Sequence, residues 1–517
     1  MKSLDLAIAE LDGDLYHRGL NLVEVVASKS PSLLPEGTPS LRTLTPAALR
    51  LRVDQHVQCV QWVQPQDRAI KLALARGLRE PDPWWKPRKP PRDDLVLPML
   101  AYGRWKHVRA IAGVVEAPFL RPDGTIWQDA GYDDGTGYLY RPNATFPRVP
   151  EQPTQDDARR ALASLRHVFC DFPYVSEAAS GVPIACLLTI LARSAISGCV
   201  PCFAFEASVQ GSGKTKQGDC VALIATGRVP PHANFPEDES EQSKRALSMA
   251  LSGAPVCFLD NVKGTFGGSV LEALVTSSEL RQRLLGGNED VVVPWLATIL
   301  VTGNNMRPTE DMARRMLVCR IEPDVEDPTR GRAYQHHPLI PWVQAERERL
   351  IIAALTILRA YACHGYPDAG TGTMESFDEW SRLIPHAIVF SGGPNVLEAV
   401  GNSEDAVDDA ASALATIVQE LPRLGDGRPM TARNILAALY PAPKGGPPDG
   451  WEAMREAIET LAPPRGGGPV RPDHFSRALQ GLGKGRVFAG VRLDSVTRWQ
   501  ADNRVAGWIA KPVKPAR

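Results

Sequence analysis

At 517 residues the chain is long for one domain, and a prior of one domain per ~150 residues suggests three or four. Hydrophobic content of 44% and charged content of 23% are ordinary for a soluble globular protein with enough apolar residues for several cores. The formal net charge of −1 excludes a uniformly basic nucleic-acid binder, so any contact with a phosphate backbone must come from local patches.

Residues 1–10 carry acids where an export signal needs an apolar run, so a cytoplasmic protein with no membrane partner is expected. Residues 15–26 have the pattern of a short hairpin, and 45–53 that of a helix capped by Thr45. Together they make residues 1–80 a small α+β module. Residues 81–94 form a Pro-rich linker, basic in its middle, whose Trp84 and Trp85 are expected to dock it onto its neighbour. An α+β region follows over 95–174. It starts with a helix over 95–114, continues through the turn Arg121-Pro-Asp-Gly124 and short strands at 125–127, 131–133 and 137–140, and ends in a helix over 156–169. That last helix is read from the spacing of Ala161, Leu162, Leu165 and Val168.

The apolar stretch 185–205, broken by Arg193 and Pro201, reads as a buried helix and then a strand at Val200, Phe203 and Phe205. Nine cysteines without framework spacing imply reduced thiols. Cys199-Val-Pro-Cys202, a lone CxxC, reads as buried thiols at the strand start. Directly after the strand, Ser208-Val-Gln-Gly211-Ser212-Gly213-Lys214-Thr215 matches the phosphate loop GxxxxGK[ST], with Ser208 where the first glycine is expected, and a helix over 217–226 stops at Gly227. The glycines let backbone N–H groups point at phosphates, and the helix N-terminus adds its positive dipole end. Lys214 would reach the β- and γ-phosphates of ATP, and the Thr215 hydroxyl would ligate Mg²⁺.

Next comes a helix over 241–252, then a short apolar strand over 254–261 that ends in Asp260, as a Walker B strand presents its acid to the water shell of Mg²⁺. A further strand over 296–301 leads to Thr302-Gly303-Asn304-Asn305, where an amide would orient the attacking water. Ten residues on, Asp311-Met-Ala-Arg314-Arg315 supplies guanidinium groups that would stabilise transition-state charge, either in cis or from the next subunit. Residues 340–361 and 374–390 have helical spacing, and 402–409 reads as an acidic, solvated helix start.

From about 426 the pattern changes to helices over 431–440, 451–461 and 471–481, then strands over 485–493 and 505–511 joined by a loop containing Arg498 and Arg504. Three helices and a hairpin suggest a winged helix. Residues 471–517 hold ten Lys or Arg against three Asp, which favours a phosphate-binding surface.

The phosphate loop, the Leu259-Asp260-Asn261 strand, the Arg281-Gln-Arg283-Leu-Leu-Gly-Gly287 segment, the Thr302-Gly-Asn-Asn305 strand and Asp311-x-x-Arg314-Arg315 occur in an order that resembles the superfamily 3 helicase domain, an AAA+ class. The likeness is greatest to primase-helicase-type ATPases of phages, plasmids and integrated elements. It covers roughly residues 95–335, including Arg121-Pro-Asp-Gly124 and Gly131-Tyr-Asp133, and more loosely the C-terminal end. The resemblance implies a ring, usually a hexamer, with ATP at subunit interfaces, single-stranded or forked DNA in a central channel, and a possible primase partner. Carried over, Ser208, Gly211, Ser212, Gly213, Lys214 and Thr215 hold phosphate, Thr215 and Asp260 hold Mg²⁺, Asn304 is the sensor amide, and Arg315 or Arg314 is the arginine finger.

The sequence departs from that pattern in two places. Asn261 stands where many AAA+ enzymes carry a catalytic Glu, and it cannot usefully accept a proton. The turn over 286–290 is acidic where related channel hairpins are basic, which leaves Arg281 and Arg283 as the nearest phosphate contacts, with Arg486, Arg492 and Arg498 in the last unit.

The expected architecture is therefore α/β, with a P-loop AAA+-like ATPase core over 175–335, a small α+β N-terminal region, a helical region over 336–425 and a winged-helix-like domain over 426–517. The expected function is an ATP-dependent DNA helicase or translocase, an ATPase, in mobile-element replication. The alternative is an ATP-gated DNA-binding or assembly factor with little turnover.

Overall fold

Five runs of mainly apolar residues assemble into one sheet in which every pairing is parallel. These are β1 (Cys202–Ala207), β2 (Ala233–Asn234), β3 (Val256–Val262), β4 (Thr298–Asn304) and β5 (Met316–Ile321), in the spatial order β2-β3-β4-β1-β5. A parallel sheet is covered on both faces, and β1 accordingly reads as a nearly continuous buried run from Cys202 to Phe205. The computed structural model describes residues 14–28, 34–56, 91, 93–103, 107–207, 211–234, 236, 238–262, 265–283, 290–304, 306–322, 334–401, 403–440, 450–462, 469–480, 487–488, 491–500 and 503–512. Ser208, Trp84, Trp85, Arg486 and the turn residues 286–289 lie outside that set, as do the side chains of Arg283, Asn304 and Arg498. The chain forms two compact units, one of residues 1–306 and 314–401 and the other of residues 307–313 and 402–517.

The first unit also contains α1 (Gln155–Val168), α2 (Glu177–Leu191), α3 (Lys214–Thr226), α4 (Glu239–Ser252), α5 (Leu339–Cys363) and α6 (Asp378–Phe390), of which α2 and α3 pack directly on the sheet. Thr154 opens α1 with a capping box shared with Asp157, which satisfies two backbone donors at the helix start. Helix α2 is buried nearly all round, including Ile184, Leu187 and Leu188, as befits a helix enclosed by other layers. Helix α5 packs along α1 and α3. Its buried Arg347 donates from Nε to the carbonyls of Leu223 (3.1 Å) and Ile224 (3.0 Å), and from Nη1 to Asn143 (2.8 Å), which ties it to the last turn of α3. The Leu223 carbonyl also accepts from Gly227 N at 2.8 Å, so Arg347 adds a second bond there, and Ile224 is among the last-turn carbonyls that a helix C-terminus leaves without an internal partner.

The expected hairpin near the start is present, with Leu15–Arg18 antiparallel to Asn21–Ala27, and the next helix, Pro46–His56, has the Thr45 hydroxyl accepting from Ala48 N at 3.2 Å. The helix expected over 95–114 is shorter. It spans Asp93–Ala101, after which Gly103 turns the chain at φ 63° and the following residues form short strands at Arg109–Ala110 and Gly113–Val115. Arg121 and Asp133, from the two sequence signatures of this region, meet. The Arg121 guanidinium donates to both oxygens of a fully buried Asp133, which also accepts from Thr136 at 2.7 Å. These contacts, the Arg121 bond foremost, hold the Asp133 carboxyl below its ordinary pKa.

The second unit contains helices Ser403–Leu424, Ala432–Leu439, Glu452–Leu461 and Pro472–Ala478 and a four-stranded antiparallel sheet. Thr431 caps the second of these by accepting from Asn434 N at 3.2 Å. The segment expected to be a loop around Arg498 and Arg504 is strand instead. Val491–Gln500 pairs with Asn503–Pro512 along its whole length, Arg498 opposite Val505. Its β-branched Val496 and Thr497 favour extended backbone, and the pairing runs as far as Gln500 opposite Asn503. Among the described residues, no helix is long and apolar enough to cross a membrane. The molecule is a mixed α/β protein.

Candidate functional site

The C-terminal edge of the parallel sheet is where chain chemistry converges, as expected of an open α/β sheet. Strand β1 ends at Ala207, and the loop re-enters at Gly211 (φ 75°) and Gly213 (φ 91°), which directly precedes α3. Gly213 is required twice over. Its φ is left-handed, and a Cβ there would lie 2.9 Å from the Phe172 ring. The loop backbone is thereby brought to the N-terminus of α3, where unpaired N–H groups and the helix dipole favour an anion. The Ser212 hydroxyl is buried there without a hydrogen-bond partner among the described residues.

Lys214 is the first residue of α3 and is buried. Burial lowers its pKa, opposed by the nearby Asp260 carboxylate. Asp260, near the end of β3, accepts from Thr215 at 3.1 Å and from Thr302 at 2.5 Å, both on Oδ1. The Thr302 hydroxyl in turn accepts from Asn261 N at 3.0 Å, so the buried Thr302 of β4 fixes the tip of β3 beside the loop helix. Asn304 is the last residue of β4, in register with Ala207, the last residue of β1. Asn261 has φ 55° and an exposed side chain.

A pair that sequence reasoning did not single out completes this edge. His232 Nε2–H donates to Asp219 Oδ1 at 2.7 Å, and its Nδ1 lies 3.7 Å from Asp260 Oδ2. The imidazole rests edge-on against Phe258, 5.0 Å between centroids. Burial raises the Asp219 carboxyl, with the His232 bond acting against it. Asp219 lies on α3 four residues after Thr215, on the same helix face, a spacing that would have pointed to it. His232 comes from an irregular segment and carries no such signal.

The donor set suits a hydrated divalent cation beside a phosphate. One hydroxyl (Thr215) and one carboxylate (Asp260) form the hard oxygen ligands that Mg²⁺ takes while keeping most of its water, and the orphaned Ser212 hydroxyl and Gly213 cradle suit the phosphate oxygens. Next to the loop, a cleft of about 620 Å³ is lined by His167, Phe169, Phe172, Tyr174 and Ser176 among others. Phe172 covers Gly213, and Tyr174 donates to Gln217 of α3 at 2.8 Å.

The arginine pair lies elsewhere. The Arg315 carbonyl accepts from Cys202 N, and Met316 pairs with Cys202, so Arg314 and Arg315 sit at the N-terminal edge of the sheet. The loop leaves β1 at Ala207, the other end of the strand, about 17 Å away at the rise of a parallel strand. Arg314 is exposed and Arg315 half-buried. Within one chain these backbone positions are not brought together with Lys214, Thr215 and Asp260.

Of the candidate nucleic-acid contacts, Arg281 is exposed on Glu279–Arg283, which forms an antiparallel hairpin with Asp290–Pro294. Arg492 is exposed and paired with Asp494 at 3.0 and 3.2 Å. Cys202 is fully buried and Cys199 partly so, with burial raising both thiols.

No protein-family model matches this chain. No curated protein matches it either. Among solved structures, the apo A form of the NrS-1 C-terminal region is similar over 95% of this chain and 96% of that chain, at 11% identity and a TM-score of 0.32.

Proposed function

We propose that this protein is an ATP-dependent DNA helicase or translocase in the replication of a phage, plasmid or integrated element, hydrolysing ATP at interfaces between subunits. The observation that carries the reading is the Thr215–Asp260–Thr302 arrangement beside a two-glycine loop at the C-terminal edge of an all-parallel sheet. In this reading residues 208–215 hold the phosphates, with Lys214 balancing their charge from a desolvated position where an ammonium acts strongly. Thr302 fixes the orientation of Asp260, and His232, held by Asp219, faces the second Asp260 oxygen and limits its rotation. Mg²⁺, when bound by Thr215 and Asp260, would neutralise charge on the phosphates. Arg315 or Arg314, at the opposite edge, acts on the nucleotide of a neighbouring copy, which makes the active form an oligomeric ring. Arg281 and Arg283 face single-stranded or forked DNA, and the basic C-terminal unit, read as a winged helix, recruits the ring to it.

A second reading, an ATP-gated DNA-binding or assembly factor with little turnover, is favoured by Asn261. Its exposed amide cannot take a proton from water. ATP turnover of the full chain with and without single-stranded DNA, beside Lys214→Ala, separates the two. Turnover that rises with DNA and vanishes in the variant supports the motor. Tight ATP binding without turnover supports the gated factor, and absence of ATP binding removes both.

A further inference from the structure

The 169–174 segment that covers the loop begins at a cluster of ligand-type side chains that the nucleotide chemistry does not use. His167 lies in the last turn of α1, Cys170 follows just beyond that helix, and His336 lies three residues before α5. One ligand atom from each, two imidazole nitrogens and the Cys170 sulfur, lie within 4.8 Å of one another. We propose that His167, Cys170 and His336 form a binding site for a zinc-type transition-metal ion, with the fourth position filled by water.

Three features support a built site over chance proximity. The His336 ring is stacked on Trp342 of α5, 3.6 Å between centroids and 11° from parallel, and meets His167 edge-on at 4.6 Å, so its orientation is fixed by packing. Its Nε2 is buried and has no hydrogen-bond partner among the described residues, a costly state for an imidazole nitrogen that a metal bond would relieve. Among the described residues, the Cys170 thiol makes only a weak contact, donating to Gln335 Oε1 at 3.4 Å. On binding, the sulfur–metal bond forms as the thiol proton leaves to solvent.

The donor set defines the metal class. Two imidazoles and one thiolate are borderline-soft, suited to Zn²⁺ or Co²⁺ and poorly suited to the Mg²⁺ expected at Thr215 and Asp260. Drawing the three ligands to bonding distance would clamp the segment before α5 onto the end of α1. It would also hold in place Phe172 and Tyr174, which contact Gly213 and Gln217.

The test uses the full chain, stripped of metal by chelator and titrated with Co²⁺ and then Zn²⁺. One Co²⁺ per chain with a thiolate-to-cobalt charge-transfer band, displaced by Zn²⁺, is expected. Cys170→Ser should remove the band and weaken binding about 10- to 100-fold. Cys363→Ser, at another exposed cysteine, should change neither. His336→Ala should weaken binding to a similar degree. Cys170 is exposed, so the serine variant is expected to keep the fold, which circular dichroism checks. No band in the wild-type protein, a band that survives Cys170→Ser, or one lost in Cys363→Ser would overturn the site. None of these readouts depends on ATP turnover.

Discussion

The two ends of the parallel sheet gather different side chains. At the C-terminal edge, Thr215, Thr302 and His232 converge on Asp260 beside a glycine loop. At the N-terminal edge the chain turns through Arg314 and Arg315 into β5, with the Arg315 carbonyl bonded to the start of β1. A strand separates the two groups, and it is too long for a guanidinium to bridge. The contrast teaches that, under the proposed function, Arg314 or Arg315 would have to act on the nucleotide of another copy of the chain.

The largest effect expected is from Lys214→Ala, which removes the buried ammonium and should abolish nucleotide binding and turnover, as read by a fluorescent ATP analogue. Arg315→Ala should leave that binding intact and lower turnover by about 10³-fold. Mixing these two inactive variants sharpens the comparison further. An interface with Lys214 from one and Arg315 from the other is complete, so mixing should restore part of the activity. No restoration would break the two-copy reading.

Asp133→Asn tests an ion pair that belongs to neither group of residues. Loss of one partner of a buried ion pair should cost about 3 kcal/mol of stability in chemical denaturation, without changing turnover per folded molecule. Because the Asp133 carboxyl is held below its ordinary value, its stabilising contribution is present above the unfolded pKa and is lost as pH falls through the folded one. The difference between wild type and variant should therefore shrink on acidification from neutral pH.

His232→Ala should lower kcat about tenfold with little change in KM, since Asp260 loses an orienting neighbour while the loop is untouched. The smallest effect is from Arg281→Ala. One exposed phosphate contact fewer should reduce the salt slope of DNA binding by about one and the affinity only modestly. An unchanged slope would remove Arg281 from the DNA surface.

Residues whose partners are near in sequence, or fixed by a motif, were legible beforehand. The strand before the loop, the helix ending at Gly227 and the strand ending at Asp260 all have local signals, and all three elements are present in the structure. Thr302 and His232 acquire their places only when β4 and the segment before β2 come alongside β3, so no spacing announces them. The helix expected over 95–114 failed for another reason. Val108, Ile111 and Val114 recur at helical spacing, yet they are buried by short strands and loops after the chain turns at Gly103. The Arg121–Asp133 pair shows the converse, two signatures read separately whose shared reason is an ion pair.

Arg347 has a mechanical consequence. By bonding the last carbonyls of α3 to the middle of α5, it couples the loop helix to a lever of 25 residues, and the stretch beyond Arg347 is about 24 Å long. A tilt of ~5° imposed on α3 at the loop would move the distal end of that lever by about 2 Å. A small displacement at the loop would thus be amplified at Cys363, the last residue of α5.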